Sequence, residues 1–81
     1  MNEAELKSRV IAIIQSIAPE VEGDMLRPDQ ALRRQVDLDS MDWLGFLVGL
    51  HRRLGVDIPE TDYAKLVTLD DLLEYLAARV R

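Results

Sequence analysis

At 81 residues the chain has room for one hydrophobic core and no second. Its 48% hydrophobic and 31% charged residues are a folded protein's composition, too apolar for disorder, and the absence of cysteine with a single histidine excludes disulfides, thiolate chemistry and the usual zinc sites. Fifteen acidic residues against ten basic leave a net charge of −5, which argues against nucleic acid and anionic membrane surfaces and suits either a basic protein partner or a merely soluble acidic surface. No apolar run approaches the roughly 20 residues of a membrane span. The mixed, acidic stretch Met1–Lys7 is unlike a secretory signal, so a single cytoplasmic domain over residues 1–81 is expected.

The first helix opens on Asn2 as N-cap with Glu5 three residues later, a loose capping box. Leu6, Val10, Ile13, Ile14 and Ile17 then recur at helical spacing, and Pro19 stops the helix near Ala18. Residues 19–38 form a long connection punctuated by Pro19, Gly23 and Pro28. Its scattered apolar residues Val21, Met25, Leu26, Leu32, Val36 and Leu38 are expected to pin it to the helices, with one helical turn at Gln30–Arg34. A connection this long in a small domain is often functional.

A second long helix is expected from Asp39 or Ser40 to about Leu54, capped by Asp39, with Asp42 in the first turn, Arg52 and Arg53 in the last, and Gly55 as its stop. Gly55–Pro59 reads as an extended link and Glu60–Lys65 as a brief helix. Thr68 caps the last helix with Asp71 three residues on, and Leu69, Leu72, Leu73, Leu76 and Val80 form its apolar face. The expected architecture is an all-helical bundle of three long helices and a short third one, with a long loop between the first two. Val10, Ile14, Ile17, Phe46, Leu47, Leu50, Leu54, Leu72, Leu73 and Leu76 are its expected core.

The second long helix carries more apolar surface than one core contact requires. Trp43, Phe46, Leu47, Leu50 and Leu54 make one stripe; Met41, Leu44 and Val48, flanked by Gly45 and Gly49, make another. The second stripe is either covered by another part of the chain or kept for a partner.

Catalytic constellations are missing from the sequence: it has no nucleophile elbow, phosphate loop or dinucleotide fingerprint. His51 lies eleven residues after Ser40, about 16 Å along the same helix, too far to pair with it. The acidic pairs Asp37/Asp39 and Asp70/Asp71 read as loop and helix-start charges. Ser40 remains: a cap or first-turn serine with no activating base, yet at a loop–helix junction open to modification by another enzyme.

Asp39-Ser40-Met41-Asp42 resembles the D-S-L-D signature of acyl carrier proteins. The text downstream, Leu54-Gly55-Val56-Asp57-Ile58-Pro59-Glu60, then Lys65, Thr68-Leu69 and Leu72–Leu76, follows the same family's order. The resemblance covers nearly the whole chain and is strongest from Val36 to Leu76. It implies an acyl-carrier-like four-helix bundle, and a non-catalytic, monomeric carrier. Ser40 would bear a 4′-phosphopantetheine arm attached by a phosphopantetheinyl transferase from coenzyme A. Acyl groups would ride on the arm's thiol as thioesters, brought and used by acyl-loading and acyl-processing enzymes. Partner recognition would fall on the second long helix around Ser40, at Asp39, Met41, Asp42, Leu44, Gly45 and Val48. The chain departs from the family at Asp37, where a glycine is common, and at Gly45, His51, Arg52 and Arg53, where carriers of fatty acid synthesis bear glutamates. These departures point to a specialised carrier; a discrete aminoacyl or peptidyl carrier, or an unmodified carrier-like interaction module, are the alternatives.

Overall fold

The computed structural model describes residues 1–80. Four α-helices, α1 (Glu3–Ile17), α2 (Leu32–Gln35), α3 (Ser40–Leu54) and α4 (Leu69–Ala77), are joined by loops that contain 3₁₀ segments at Gly23–Met25 and Glu60–Lys65. Three long helices, a short third element at Glu60–Lys65 and a long first connection form the expected all-α bundle. The turn expected at Gln30–Arg34 is α2, which spans Leu32–Gln35.

The three long helices begin where short polar side chains can satisfy unpaired N–H groups. Asn2 accepts from the Glu5 amide at 2.8 Å, but the return bond from Glu5 does not form, so only half of the first capping box is present. At α4 the box is complete: the Asp71 amide donates to Thr68 Oγ1 at 3.0 Å and the Thr68 amide donates to Asp71 Oδ2 at 3.0 Å. The Thr68 amide above all, with the Thr68 hydroxyl and the Val67 amide, holds the Asp71 carboxyl below its ordinary pKa.

The core gathers Leu6, Val10, Ile13 and Ile14 of α1, Phe46, Leu47 and Leu50 of α3, and Leu69, Leu72, Leu73 and Leu76 of α4. α1 packs on both α3 and α4. Its approach to α3 is close at Gly49, where a Cβ would meet Ile13 Cγ2 at 3.2 Å. Two expected core residues, Ile17 and Leu54, are only half-buried: each sits in the last turn of its helix, where the partner helix no longer covers it. Val80 lies beyond the end of α4, which stops at Ala77, yet it packs against the core from the following turn.

The long connection is ordered by buried side chains and backbone bonds together. Leu32, Val36 and Leu38 are buried, and Val21 and Leu26 partly so. Met25 is 72% exposed and pins nothing, because the turn at Gly23–Met25 points it outward. The Leu32 amide donates to the Val67 carbonyl at 2.9 Å and the Asp70 amide to the Pro28 carbonyl at 3.0 Å. Together with the bridge between Ala31 and Thr68, these bonds tie α2 to the start of α4. Gln35 closes the loop on itself, donating to the Arg27 carbonyl at 2.8 Å while accepting from the Arg27 amide. The junction between Leu38 and Ser40 is thereby held at a fixed place on the surface.

Candidate functional site

Ser40 is the first residue of α3 and is exposed. Asp39, in extended conformation, caps the helix by accepting from the Asp42 amide at 2.8 Å. The Trp43 amide reaches the Asp39 carbonyl at 2.9 Å and closes the first turn. The opening N–H groups of α3 and its dipole favour negative charge at this point. Among the described residues, no side chain hydrogen-bonds to the Ser40 hydroxyl, so nothing in the chain activates it as a nucleophile.

His51 is committed elsewhere. Its Nδ1 donates to the Val56 carbonyl at 2.8 Å and stands 3.9 Å from the Asp57 carboxylate, fastening the end of α3 to the link that follows. The acidic pairs behave as helix-start and loop charges: Asp71 belongs to the α4 cap, Asp39 to the α3 cap, and Asp37 and Asp70 are exposed.

The second apolar stripe of α3 is uncovered. Met41 is 80% exposed, Leu44 49% and Val48 37%. The helical period puts these three with Gly45 on the side away from the buried Phe46, Leu47 and Leu50. Gly45 has open space around the position of a Cβ, unlike Gly49. Ser40, Asp39 and Asp42 stand at the upper end of this face, and Arg52, four residues after Val48, continues it at the lower end. Every residue expected to surround Ser40 is therefore exposed on the first turns of α3: Asp39, Met41, Asp42, Leu44, Gly45 and Val48.

Trp43 packs against the core with its stripe but at the edge of it. Half-buried, it leans on Phe46 with ring centroids 5.2 Å apart, and the Arg33 guanidinium lies 5.9 Å from its ring centroid. The sequence marked Arg33 only as part of a helical turn; contact with a residue ten positions away has no signature in local spacing.

An exposed serine with no catalytic partner, opening a helix with an uncovered apolar face, suits a site that other enzymes modify and grip. Sequence comparison decides the family. The model of the phosphopantetheine attachment site family matches residues 8–76. This chain belongs to the acyl carrier protein family. It is 28% identical over 80 residues to the acyl carrier protein of Thermosynechococcus vestitus, covering 99% of this chain and 98% of that protein. With the acyl carrier protein of Chlorobium phaeovibrioides it shares 29% identity over 79 residues, 98% of this chain and 100% of the relative. A solution structure described as that of an acyl carrier protein from Anaplasma phagocytophilum superposes with a TM-score of 0.82 at 26% identity, covering 96% of this chain and 91% of that one.

The protein is therefore a carrier rather than an enzyme, and its prosthetic group is covalently attached 4′-phosphopantetheine. Its partners are the enzymes that modify it and those that process the acyl groups it carries. No helix among the described residues is long and apolar enough to cross a membrane.

Proposed function

We propose that Ser40 is the attachment point of the arm and that residues 1–81 act as one monomeric, cytoplasmic carrier domain specialised outside housekeeping fatty acid synthesis. The observation that carries the first part is the placement of Ser40: an exposed hydroxyl, free of side-chain partners, at the first position of α3. A phosphodiester formed there meets the positive end of the helix dipole. The bound arm supplies the thiol that holds the acyl group as a thioester, which a chain without cysteine cannot supply itself. Asp39 sets the position of Ser40 by capping the helix, and Met41, Leu44, Gly45 and Val48 offer a partner enzyme an apolar strip beside it.

The specialised reading is supported by the charge of α3. After Asp42 the helix has no acidic residue, and it ends on His51, Arg52 and Arg53. The test of the attachment point is intact mass after incubation with a broad-range phosphopantetheinyl transferase and coenzyme A. The wild type should gain one phosphopantetheine, and Ser40→Ala, which alters an exposed side chain, should fold normally and gain none. A Ser40→Ala protein that still gains the mass removes Ser40 from this role.

A further inference from the structure

Met1, Met25 and Met41 are the three methionines of the chain, and all of them are exposed. The buried core contains none of them. With no cysteine present, these thioethers are the side chains most open to oxidation by peroxide. Oxidation therefore changes the surface of the protein and leaves the packing of α1, α3 and α4 in place. Met41 differs from the other two in its position. It follows Ser40 directly and heads the uncovered strip, with Leu44 and Val48 three and seven residues further along the same face. Met25 closes the 3₁₀ turn at Gly23–Met25 and Met1 precedes the N-cap of α1, both outside α3. Among the described residues Met41 is the most exposed large hydrophobic side chain. An enzyme that takes hold of the Ser40 hydroxyl covers the first turn of α3, and Met41 with it. One oxygen added to the Met41 sulfur turns a flexible apolar side chain into a polar one. Pressed against an apolar partner surface, that oxygen loses its water without gaining a hydrogen-bond donor.

We propose that Met41 is a reversible oxidation site that governs modification of the neighbouring serine: the thioether admits the phosphopantetheinyl transferase and the sulfoxide holds it off. The inference rests on Ser40 as the attachment point. The oxidant is a peroxide. The Met41 sulfur gives an electron pair to one peroxide oxygen, and the sulfur–oxygen bond forms as the oxygen–oxygen bond breaks. With hydrogen peroxide the other oxygen leaves as water, so sulfur is oxidised by two electrons and peroxide is reduced by two. A methionine sulfoxide reductase reverses the step: two thiols become a disulfide and the oxygen leaves as water. The effect falls on the apo chain, before any thiol is present. Peroxide then keeps the chain apo, and no arm is attached whose own thiol would be oxidised.

The experiment uses the whole chain in its apo form. The protein is treated with hydrogen peroxide, the peroxide is removed with catalase, and peptide mass mapping locates each added oxygen. A broad-range transferase and coenzyme A are then added, and initial rates of mass gain give the specificity constant. Oxidised wild type should fall about tenfold below untreated wild type, the scale of one polar group buried without a partner. Methionine sulfoxide reductases should restore the rate. Met25→Leu should show the same fall as wild type, and Met41→Leu should show none. Each treated rate is divided by the untreated rate of the same variant, so any effect of leucine on the basal rate cancels. Met41→Gln, polar and without sulfur, should be slow before treatment and unchanged by it. Far-ultraviolet circular dichroism checks that each treated protein is folded. An undiminished rate in wild type whose Met41 is mapped as sulfoxide overturns the proposal. An equal fall in Met41→Leu assigns the effect to another residue and overturns it too, as does mapping that finds Met25 oxidised and Met41 intact. Failure of the reductases to restore the rate overturns reversibility. Absence of mass gain in untreated wild type instead overturns attachment at Ser40.

Discussion

Gly55 ends α3 with φ of 67°, a left-handed conformation in which a Cβ crowds the following carbonyl oxygen. Gly55→Ala should therefore destabilise the protein by about 1–2 kcal/mol, read from urea unfolding. The two glycines inside α3 separate by their surroundings. Gly45→Ala adds a methyl group to open space and should stabilise by about 0.8–1 kcal/mol through helix propensity alone. Gly49→Ala gains the same propensity but presses a Cβ against Ile13 at 3.2 Å, so it should fall clearly below Gly45→Ala. Equal stabilisation by both would show slack between α1 and α3. A further residue-scale effect lies in the clamp of Tyr75 on Asp62, a hydrogen bond of 2.6 Å that joins α4 to the Glu60–Lys65 segment. The Tyr75 hydroxyl, and more weakly Lys65, hold the Asp62 carboxyl below its ordinary value of 3.8. A carboxyl lowered in the folded state contributes stability above its unfolded pKa and loses it as pH falls through the folded one. Tyr75→Phe should thus destabilise at neutral pH and flatten the loss of stability on acidification below the ordinary carboxylate range. An unchanged acid profile would mean that the contact does not persist in solution.

The elements differ in what fixes them. α4 has nine residues, too few to be stable alone, so its start depends on the capping box and its face on four buried leucines. Thr68→Ala should cost about 0.5–2 kcal/mol. Leu50→Ala, in the second half of α3 and fully buried, should cost about 2–5 kcal/mol; a loss far smaller would contradict the packing of α3 against α1. Helix starts were legible in the sequence because a cap and its target amide lie within three residues: Asn2, Asp39 and Thr68 each do what their positions announce. Gly55 was legible because a helix commonly ends on a left-handed residue, which glycine adopts without strain. The ends of burial were not. Ile17, Leu54 and Met25 fit an apolar pattern, but their exposure depends on where a neighbouring helix stops or which way a turn faces. The uncovered stripe of Met41, Leu44 and Val48 was visible as a surplus, while its exposure needed the three-dimensional arrangement. Ser40 stood out by its neighbours in sequence, whereas Arg33 against Trp43 is a contact between elements and left no trace in spacing.

On the scale of the whole molecule, a net charge of −5 conceals an uneven surface. The α3 face that runs from Ser40 begins acidic at Asp39 and Asp42, is apolar through Met41, Leu44 and Val48, and ends basic at Arg52, with Arg53 beside it; all of these are exposed. A partner that grips an acidic helix with a row of basic side chains finds its pairs only at the first turn. At the last turn it meets like charge. Each exposed pair contributes only about 0.2–1 kcal/mol, but lost pairs and like-charge contacts act in the same direction across one interface. Enzymes of housekeeping fatty acid synthesis should accordingly load the holo protein poorly. Arg52→Glu with Arg53→Glu reverses the sign at the lower end and should raise the specificity constant of such a loading enzyme. The gain should be larger at low salt, because a Debye length of about 8–10 Å at physiological ionic strength already screens exposed charges. The apolar strip is untouched by the exchange, so a gain that disappears in high salt can be assigned to charge and not to altered packing. Efficient loading of the wild type, unchanged by the double substitution at either salt concentration, would show that partner choice rests on the apolar strip and not on the charge along α3.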